Sequence, residues 1–380
     1  MPTFYEFFAG GGMVRAGLGR NWRCLFANDV DLKKGATYTA NWGVKHLHIG
    51  DVAKLGIGNL PAQADLAWAS FPCQDLSLAG AGAGLEGDRS GTFWPFWDLM
   101  RQLGKEGRAP RMVVLENVCG ALTSHGGKDF AAISSALTGS GYRFGAVIID
   151  AVNFLPHSRP RLFIIGVAPE NPIPKELTSE GPTQPWHTDG LMQAYGALSG
   201  RAKAKWIWWQ FPQPLPRSQN FVDIIEDKPK GVKWHTAAET KQLLAMMSAV
   251  NIAKVKKAQQ NGGRVIGAVY KRTRTNDAGE KVQRAEVRFD DVAGCLRTPA
   301  GGSSRQSILV IEGKKVRSRL LSPREAARLM GLPDDYILPQ KYNEAYHIAG
   351  DGVAVPVVRF LAANLLERLL LVWKEELAAA

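Results

Sequence analysis

The chain has 380 residues, 45% hydrophobic and 22% charged, enough apolar mass for a full core and room for two domains. It has no run of 18 uncharged apolar residues and no basic, then apolar, leader, so neither a membrane span nor a secretory signal is expected. Four scattered cysteines without a CxxC pair argue against a disulfide framework or a zinc site and fit a reducing cytoplasm. The net charge of +12 is uneven. Arg201–Arg319 holds 24 Lys+Arg against 10 Asp+Glu, and the remainder 23 against 25. A surface of that kind attracts phosphate backbones, although charge alone also fits a solubilising face.

Six short apolar runs open the chain: Thr3–Phe8, Arg23–Ala27, Asp65–Ser70, Arg111–Leu115, Gly145–Asp150 and Arg161–Val167. Several are apolar throughout, as strands covered on both faces of a parallel sheet are. Leu32–Trp42, Thr92–Leu103 and Lys128–Thr138 read as intervening helices. This rhythm predicts a doubly wound, Rossmann-like α/β domain. Residues 169–185, rich in Pro, Glu, Ser and Thr, suggest a linker or surface loop. Residues 186–320 show no clear period and read as an irregular, partly β second domain. Trp186, Trp206, Trp208, Trp209 and Trp234 are expected to be core anchors there rather than base-stacking groups. Pro323–Met330 reads as a short helix, and Val357–Glu376 as a long amphipathic one that packs back on the first domain.

The chemistry sits at predicted strand ends. Phe8-Ala9-Gly10-Gly11-Gly12 ends the first strand, where glycines let backbone N–H groups approach a ligand. Asp29, beside Val30, ends the second strand at the place of a ribose-binding acid, and Asp51-Val52 ends a third. These features suit an adenosine-bearing cofactor and do not separate one such cofactor from another. Cys73, in Phe71-Pro72-Cys73-Gln74, follows an apolar strand, where a helix N-terminus would favour its thiolate. A buried structural cysteine is the plainer reading of that residue alone. Leu115-Glu116-Asn117-Val118 offers a carboxyl to the same cleft, and Arg159-Pro160-Arg161 offers two guanidinium groups.

In order and spacing, FAGGG, Asp29, Asp51, FPCQ, DRSGTFW (88–94), ENV and RPR resemble the DNA cytosine-5 methyltransferase family. So do REAARLMGLP (324–333) and GDGVAVP (350–356) near the C-terminus. The resemblance covers about residues 4–167 and 320–360. It implies a catalytic and cofactor-binding domain of 1–167 and 320–380, with a target-recognition, DNA-binding domain at 168–319. That interval contains the basic excess.

The resemblance further implies that Cys73 attacks C6 of a cytosine flipped out of duplex DNA, and that S-adenosyl-L-methionine methylates C5 without a metal. Glu116 would meet the N3 and N4 edge, Arg159 would bind O2, and Arg161 would hold the catalytic loop or the same edge. Phe8, Ala9, Gly10, Gly11, Gly12, Asp29, Val30, Asp51, Val52, Phe93, Asp351 and Val353 would line the cofactor. The Gln74–Asp88 segment would be a mobile loop over the base. The partner is double-stranded DNA, bound by a monomer, with a cognate restriction endonuclease as a further partner.

Four positions depart from the family pattern: Glu6 replaces Asp, Met13 replaces Gly, His157 replaces Gln and Asp351 replaces Asn. Competing readings are a tRNA cytosine-5 methyltransferase, expected with a smaller recognition segment, and a catalytically inactive DNA-binding paralogue. A NAD-dependent oxidoreductase, suggested only by the glycine loop, is the third.

Overall fold

The computed structural model describes residues 1–72, 90–275, 279–298 and 305–379. Cys73 and the Gln74–Asp88 segment lie outside these described residues. Backbone contacts divide the chain into two compact units. The first is Met1–Asp150, Pro160–Pro214 and Val355–Ala380; the second is Ala151–Arg159 and Leu215–Ala354.

The first unit is built on seven strands: β1 (Thr3–Phe7), β2 (Arg23–Asp29), β3 (Leu47–Ile49), β4 (Leu66–Ala69), β5 (Met112–Val118), β6 (Arg143–Asp150) and β7 (Pro160–Val167). Their order is β3-β2-β1-β4-β5-β7-β6. The pairings among β1–β5 are parallel, and β7 runs antiparallel to both β5 and β6. Every residue of β1 and β4 is buried, so neither strand shows a period of two: β4 reads as an unbroken apolar run, and β1 is interrupted by the buried Glu6. Four helices intervene: α1 (Met13–Leu18), α2 (Leu32–Trp42), α3 (Phe93–Lys105) and α4 (Lys128–Gly139). Asp31 starts α2 by accepting from the Lys33 and Lys34 backbone N–H groups. On α3, Phe93, Phe96, Trp97, Met100 and Leu103 recur at helical spacing and are buried. Burial of such a side chain contributes about 1.5–3 kcal/mol.

The chain leaves β1 toward β2 and β3 on one side and returns to β4 and β5 on the other. The order therefore reverses between β1 and β4, the place where open α/β sheets bind ligands. This is the doubly wound fold read from the sequence.

The expected C-terminal helix is Val355–Leu361, a π-helical turn at Ala362–Leu366, and Glu367–Ala379. It packs on α1. Val358 occupies the space where a Gly17 side chain would sit, and Arg359 Nη1 donates to Leu18 O at 2.7 Å. No helix among the described residues is long and apolar enough to cross a membrane.

Trp186, Trp206, Trp208 and Trp209 belong to the first unit rather than to a second domain. Trp186 and Trp209 are core residues, and β8 (Thr178–Ser179) pairs with β9 (Trp208–Trp209) beside them. The expected boundaries at 167/168 and 319/320 divide the chain by motif. Packing places 168–214 with the first unit and 320–354 with the second.

The second unit carries an antiparallel sheet of β10 (Arg264–Thr275), β11 (Lys281–Arg288), β12 (Ser307–Glu312) and β13 (Lys315–Leu320), in the order β11-β10-β12-β13. Helices Ala237–Ala245 and Ala249–Gln260 bring Leu243, Val255 and Ala258 against Val269, Ala285, Val287, Leu309 and Ile311. Its polar anchor is a fully buried ion pair. Arg319 donates to both Glu325 oxygens at 2.6 and 2.7 Å, while Glu325 also accepts from the Ser322 and Glu226 backbone N–H groups.

Candidate active site

In the first unit, three strand ends are aligned by register. Phe7 pairs with Ala69, and Ala69 with Leu115. The residues that follow are therefore neighbours: Phe8–Gly12 after β1, Phe71-Pro72 after β4, and Glu116 within β5. Phe71-Pro72 leads directly into Cys73, which lies outside the described residues.

The glycine loop is shaped by backbone conformations that side chains disfavour. Phe8, Gly10 and Gly12 all have positive φ, at 58°, 55° and 79°. A Cβ added at Gly10 would meet nothing within 4 Å, so the loop opens on free space there. At Gly12 a Cβ would collide with the Trp42 indole, whose Nε1 donates to Gly11 O at 3.0 Å.

Asp29 joins the loop to the next strand end. One carboxylate oxygen accepts from Gly10 N–H at 2.7 Å and the other from Asp31 N–H at 2.8 Å. The Asn28 amide donates to His48 O and Gly50 O and ties β2 to the β3 end. Beyond it, Asp51 caps the turn Val52–Lys54 through Ala53 N–H. Val52 is buried, whereas Val30 is exposed. Phe93 has no exposed surface. Its ring stacks on Trp97 and packs against Phe71, and so backs the strand end.

Glu116 is almost fully buried, and Arg161 Nε lies 3.3 Å from its Oε1. The antiparallel run of β7 produces this pair. It brings the start of β7 to the carboxyl end of β5, with Val118 opposite Arg161 and Glu116 opposite Phe163. Glu116 and Arg161 are then diagonal neighbours on one face of the sheet. On the other face, Asn117 Nδ2 donates to Phe71 O at 3.2 Å and fixes the segment that precedes Cys73.

Two contributors lack a sequence signal of their own: Trp42, which braces the loop from the end of α2, and Asn117. A third, Glu6, differs from the family pattern. It is completely buried beneath α1 and lies under the Val14 and Arg15 N–H groups without meeting either in hydrogen-bonding geometry. Burial is the first cause that pushes its carboxyl up to about 8, against the lowering field of Arg15.

The remaining expected site residues belong to the second unit. Arg159 donates to Gly350 O at 2.8 Å and Gly352 O at 2.7 Å, and is buried. His157 Nε2 accepts from Leu296 N–H, so Nδ1 carries the proton that it donates to Leu329 O at 2.9 Å. A neutral imidazole thus supplies one donor and one acceptor, as a glutamine amide does. Asp351 is exposed at the end of helix Tyr342–Asp351, with His347 Nδ1 3.9 Å from its Oδ2. Val353 is buried.

A glycine loop at the reversal point, acids at the next two strand ends and a carboxylate–guanidinium pair on the adjoining strands define an α/β enzyme that works at the carboxyl edge of its sheet. The family model for C-5 cytosine-specific DNA methylases matches residues 2–367, and the chain belongs to that family, whose members methylate C5 of cytosine in DNA. It is 27% identical to the Type II methyltransferase M.HpaII of Haemophilus parainfluenzae, covering 97% of this chain and 90% of the relative. It is also 27% identical to M.BsuFI of Bacillus subtilis, covering 97% and 73%. Among solved structures, the Entamoeba histolytica methyltransferase EhMeth aligns with a TM-score of 0.61 and 14% identity, over 97% of this chain and 99% of that one. Dnmt2 of S. pombe aligns with a TM-score of 0.58 and 17% identity, over the same shares.

Proposed function

We propose that this chain is a sequence-specific DNA methyltransferase in which Cys73 is the nucleophile and S-adenosyl-L-methionine the methyl donor. The observation that carries the reading is the row of strand ends. The glycine loop, the Phe71-Pro72 lead into Cys73, and Glu116 follow three residues paired across β1, β4 and β5. The residues present fit the cofactor. The loop opens on free space at Gly10, and the Asp29 carboxylate, which accepts one backbone N–H at each oxygen, retains acceptor capacity beside it. Phe8, Ala9 and the Gly10–Gly12 backbone would hold the methionine end and Asp29 the ribose. Val30 and Val52 would flank the adenine and Asp51 would accept from its amino group. Bound S-adenosyl-L-methionine supplies a methyl group activated by its sulfonium.

Cytosine C5 is a weak nucleophile. The Cys73 thiolate would add to C6 and move the ring electron pair to C5, the atom to which S-adenosyl-L-methionine would supply its methyl group, the carbon–sulfur bond breaking to leave a neutral thioether. Loss of the C5 proton and departure of the thiolate restore the ring. Glu116 faces the N3 and N4 edge, where a shared proton offsets developing charge. Arg161, 3.3 Å from Glu116, is assigned to the same edge, and Arg159 to positioning through the Gly350 and Gly352 carbonyls. Atom C6 is inaccessible in a stacked duplex, so the base is extruded first.

Residues 168–319 are assigned to target recognition on their positive excess. The Type II names of the relatives favour a restriction-modification setting with a cognate endonuclease, and the enzyme acts as a monomer on DNA. The test is transfer of labelled methyl to duplex DNA and to tRNA. Cys73→Ser is expected to abolish transfer and retain DNA binding. Wild type is expected to form a covalent adduct with 5-fluorocytosine, whose fluorine cannot leave as a proton. An adduct formed by Cys73→Ser would refute Cys73 as nucleophile.

A further inference from the structure

Strand β10 has twelve residues and is only half enclosed by the sheet of the second unit. Arg264–Val269 pair with β12 on one edge and, from Ala268 onward, with β11 on the other. Among the described residues, Tyr270–Thr275 pair with β11 alone. A two-stranded ribbon, Tyr270–Thr275 with Lys281–Glu286, therefore extends past the sheet. Ala285 is buried at its root against the Met246-Met247 segment, and Arg272, Thr273, Arg274, Thr275, Lys281, Gln283 and Arg284 are exposed.

The ribbon carries Lys271, Arg272, Arg274, Lys281 and Arg284 against the single acid Glu286. Register sorts these side chains into faces. Tyr270–Glu286, Arg272–Arg284 and Arg274–Val282 lie on one face, while Lys271–Ala285, Thr273–Gln283 and Thr275–Lys281 lie on the other. On the first face Arg272 stands directly opposite Arg284. Like charges in that position destabilise a bare ribbon, so the pair has a stabilising role only when an anion or another strong acceptor comes between them. Glu286 offsets part of this repulsion: it accepts from Arg274 at 2.5 and 2.9 Å and lies 3.4 Å from Arg272 Nε. The same contacts pre-orient two guanidinium groups along the ribbon.

A two-stranded ribbon matches the width of the DNA major groove, where arginine pairs with the O6 and N7 acceptors of guanine. We infer that the free half of the β10–β11 ribbon enters the major groove of the target duplex with its Arg272–Arg274–Arg284 face toward the bases. Arg284 and Arg272 read guanine edges, and Lys281 and Lys271 on the opposite face meet flanking phosphates. This rests on the assignment of 168–319 to target recognition.

The test uses the full-length enzyme. Methylated positions are mapped by bisulfite sequencing of DNA from cells that express each variant, and duplex binding is titrated against salt. Arg284→Ala and Arg272→Ala are expected to relax the methylated sequence at a single base pair and to weaken specific binding by roughly tenfold to a hundredfold. Lys281→Ala is expected to weaken binding to all sequences alike and to lower the salt slope by about one. These positions are exposed, and circular dichroism spectra matching wild type verify folding. An unchanged methylated sequence in Arg284→Ala, Arg272→Ala and the double variant overturns the inference. A change in base preference from Gln283→Ala alone overturns the choice of face. Replacement of residues 186–319 by a relative's segment separates the two levels. If that swap changes the target and the ribbon variants do not, only the ribbon assignment fails. If the swap leaves the target unchanged, the recognition assignment fails as well.

Discussion

Glu6→Gln removes a single ionisable group from beneath α1, and its effect has a defined sign. The Glu6 carboxyl has a folded-state value near 8, against an ordinary value of 4.5, because burial disfavours its charged form more than Arg15 favours it. Below pH 4.5 both folded and unfolded chains hold this proton. As pH rises from 4.5 to about 8, the unfolded chain gives the proton up to water while the folded chain retains it. Folding stability then falls by about 1.4 kcal/mol per pH unit on account of this group. Above pH 8 both states are ionised and the slope vanishes. The interval sets an upper limit of roughly 5 kcal/mol at alkaline pH, reduced by relaxation around the charge.

Glutamine keeps the shape and hydrogen-bonding capacity of the protonated acid and cannot ionise. Glu6→Gln is expected to match wild type at pH 5 and to exceed it by a few kcal/mol at pH 8.5. Urea unfolding at pH 5, 6, 7 and 8.5, followed by tryptophan fluorescence, measures the difference. All tryptophans except Trp234 are in the first unit, so the signal reports on the right body. Parallel curves for the two proteins, or a Glu6→Gln protein less stable at pH 8.5, would refute the reasoning.

Glu325→Ala leaves the fully buried Arg319 guanidinium without its carboxylate and is expected to cost about 3–5 kcal/mol in chemical denaturation. Gly145→Ala places a methyl group on the Ile207 carbonyl within the first unit. It is expected to lower the melting temperature by several degrees, which calorimetry would show. Asp351 is exposed and near His347, so Asp351→Asn is expected to leave S-adenosyl-L-methionine affinity within about twofold from pH 5 to 8 by calorimetric titration. A tightening of tenfold or more, about 1.4 kcal/mol, would mean that this side chain opposes the cofactor carboxylate.

The sheet was legible where its strands are covered on both faces. The runs in β1, β4 and β5 were found within a few residues of their observed bounds, since most of their positions are apolar. The short strand β3 was recovered only as a strand end at Asp51. It has three residues, two of them exposed, at the sheet's edge, so burial writes no pattern into it. The second unit was harder to read for a related reason. Strand β10 changes character halfway, buried through Val269 and exposed from Arg272, so no window over it holds one period. The tryptophans read as core anchors, and Trp186 and Trp209 are buried in a core, but composition names no partner for them. Four of the five pack in the first unit, Trp186 against Phe360 of the C-terminal helix, a contact between residues 174 positions apart in the chain.

The site shows the same division between what a motif states and what only pairing decides. RPR offers two arginines at equal chemical value, and spacing alone cannot assign them. The β5–β7 register separates them by place. Arg161 is inside the strand, opposite Val118, and so diagonal to Glu116 at 3.3 Å; Arg159 precedes the strand and is consumed by two carbonyls at 2.7 and 2.8 Å. A guanidinium held beside a buried carboxylate keeps donors poised for a base edge, whereas one that satisfies backbone acceptors positions the chain. The two variants should then fail differently. Arg161→Ala is expected to lower kcat by roughly 10²–10³, the usual loss for one donor aimed at developing charge. Arg159→Ala is expected to lower the melting temperature first, since two buried carbonyls lose their partner at about 1–3 kcal/mol each. Steady-state kinetics and thermal unfolding of both variants decide the assignment. A normal kcat in Arg161→Ala, beside a stable but inactive Arg159→Ala, would restore Arg159 to the base edge.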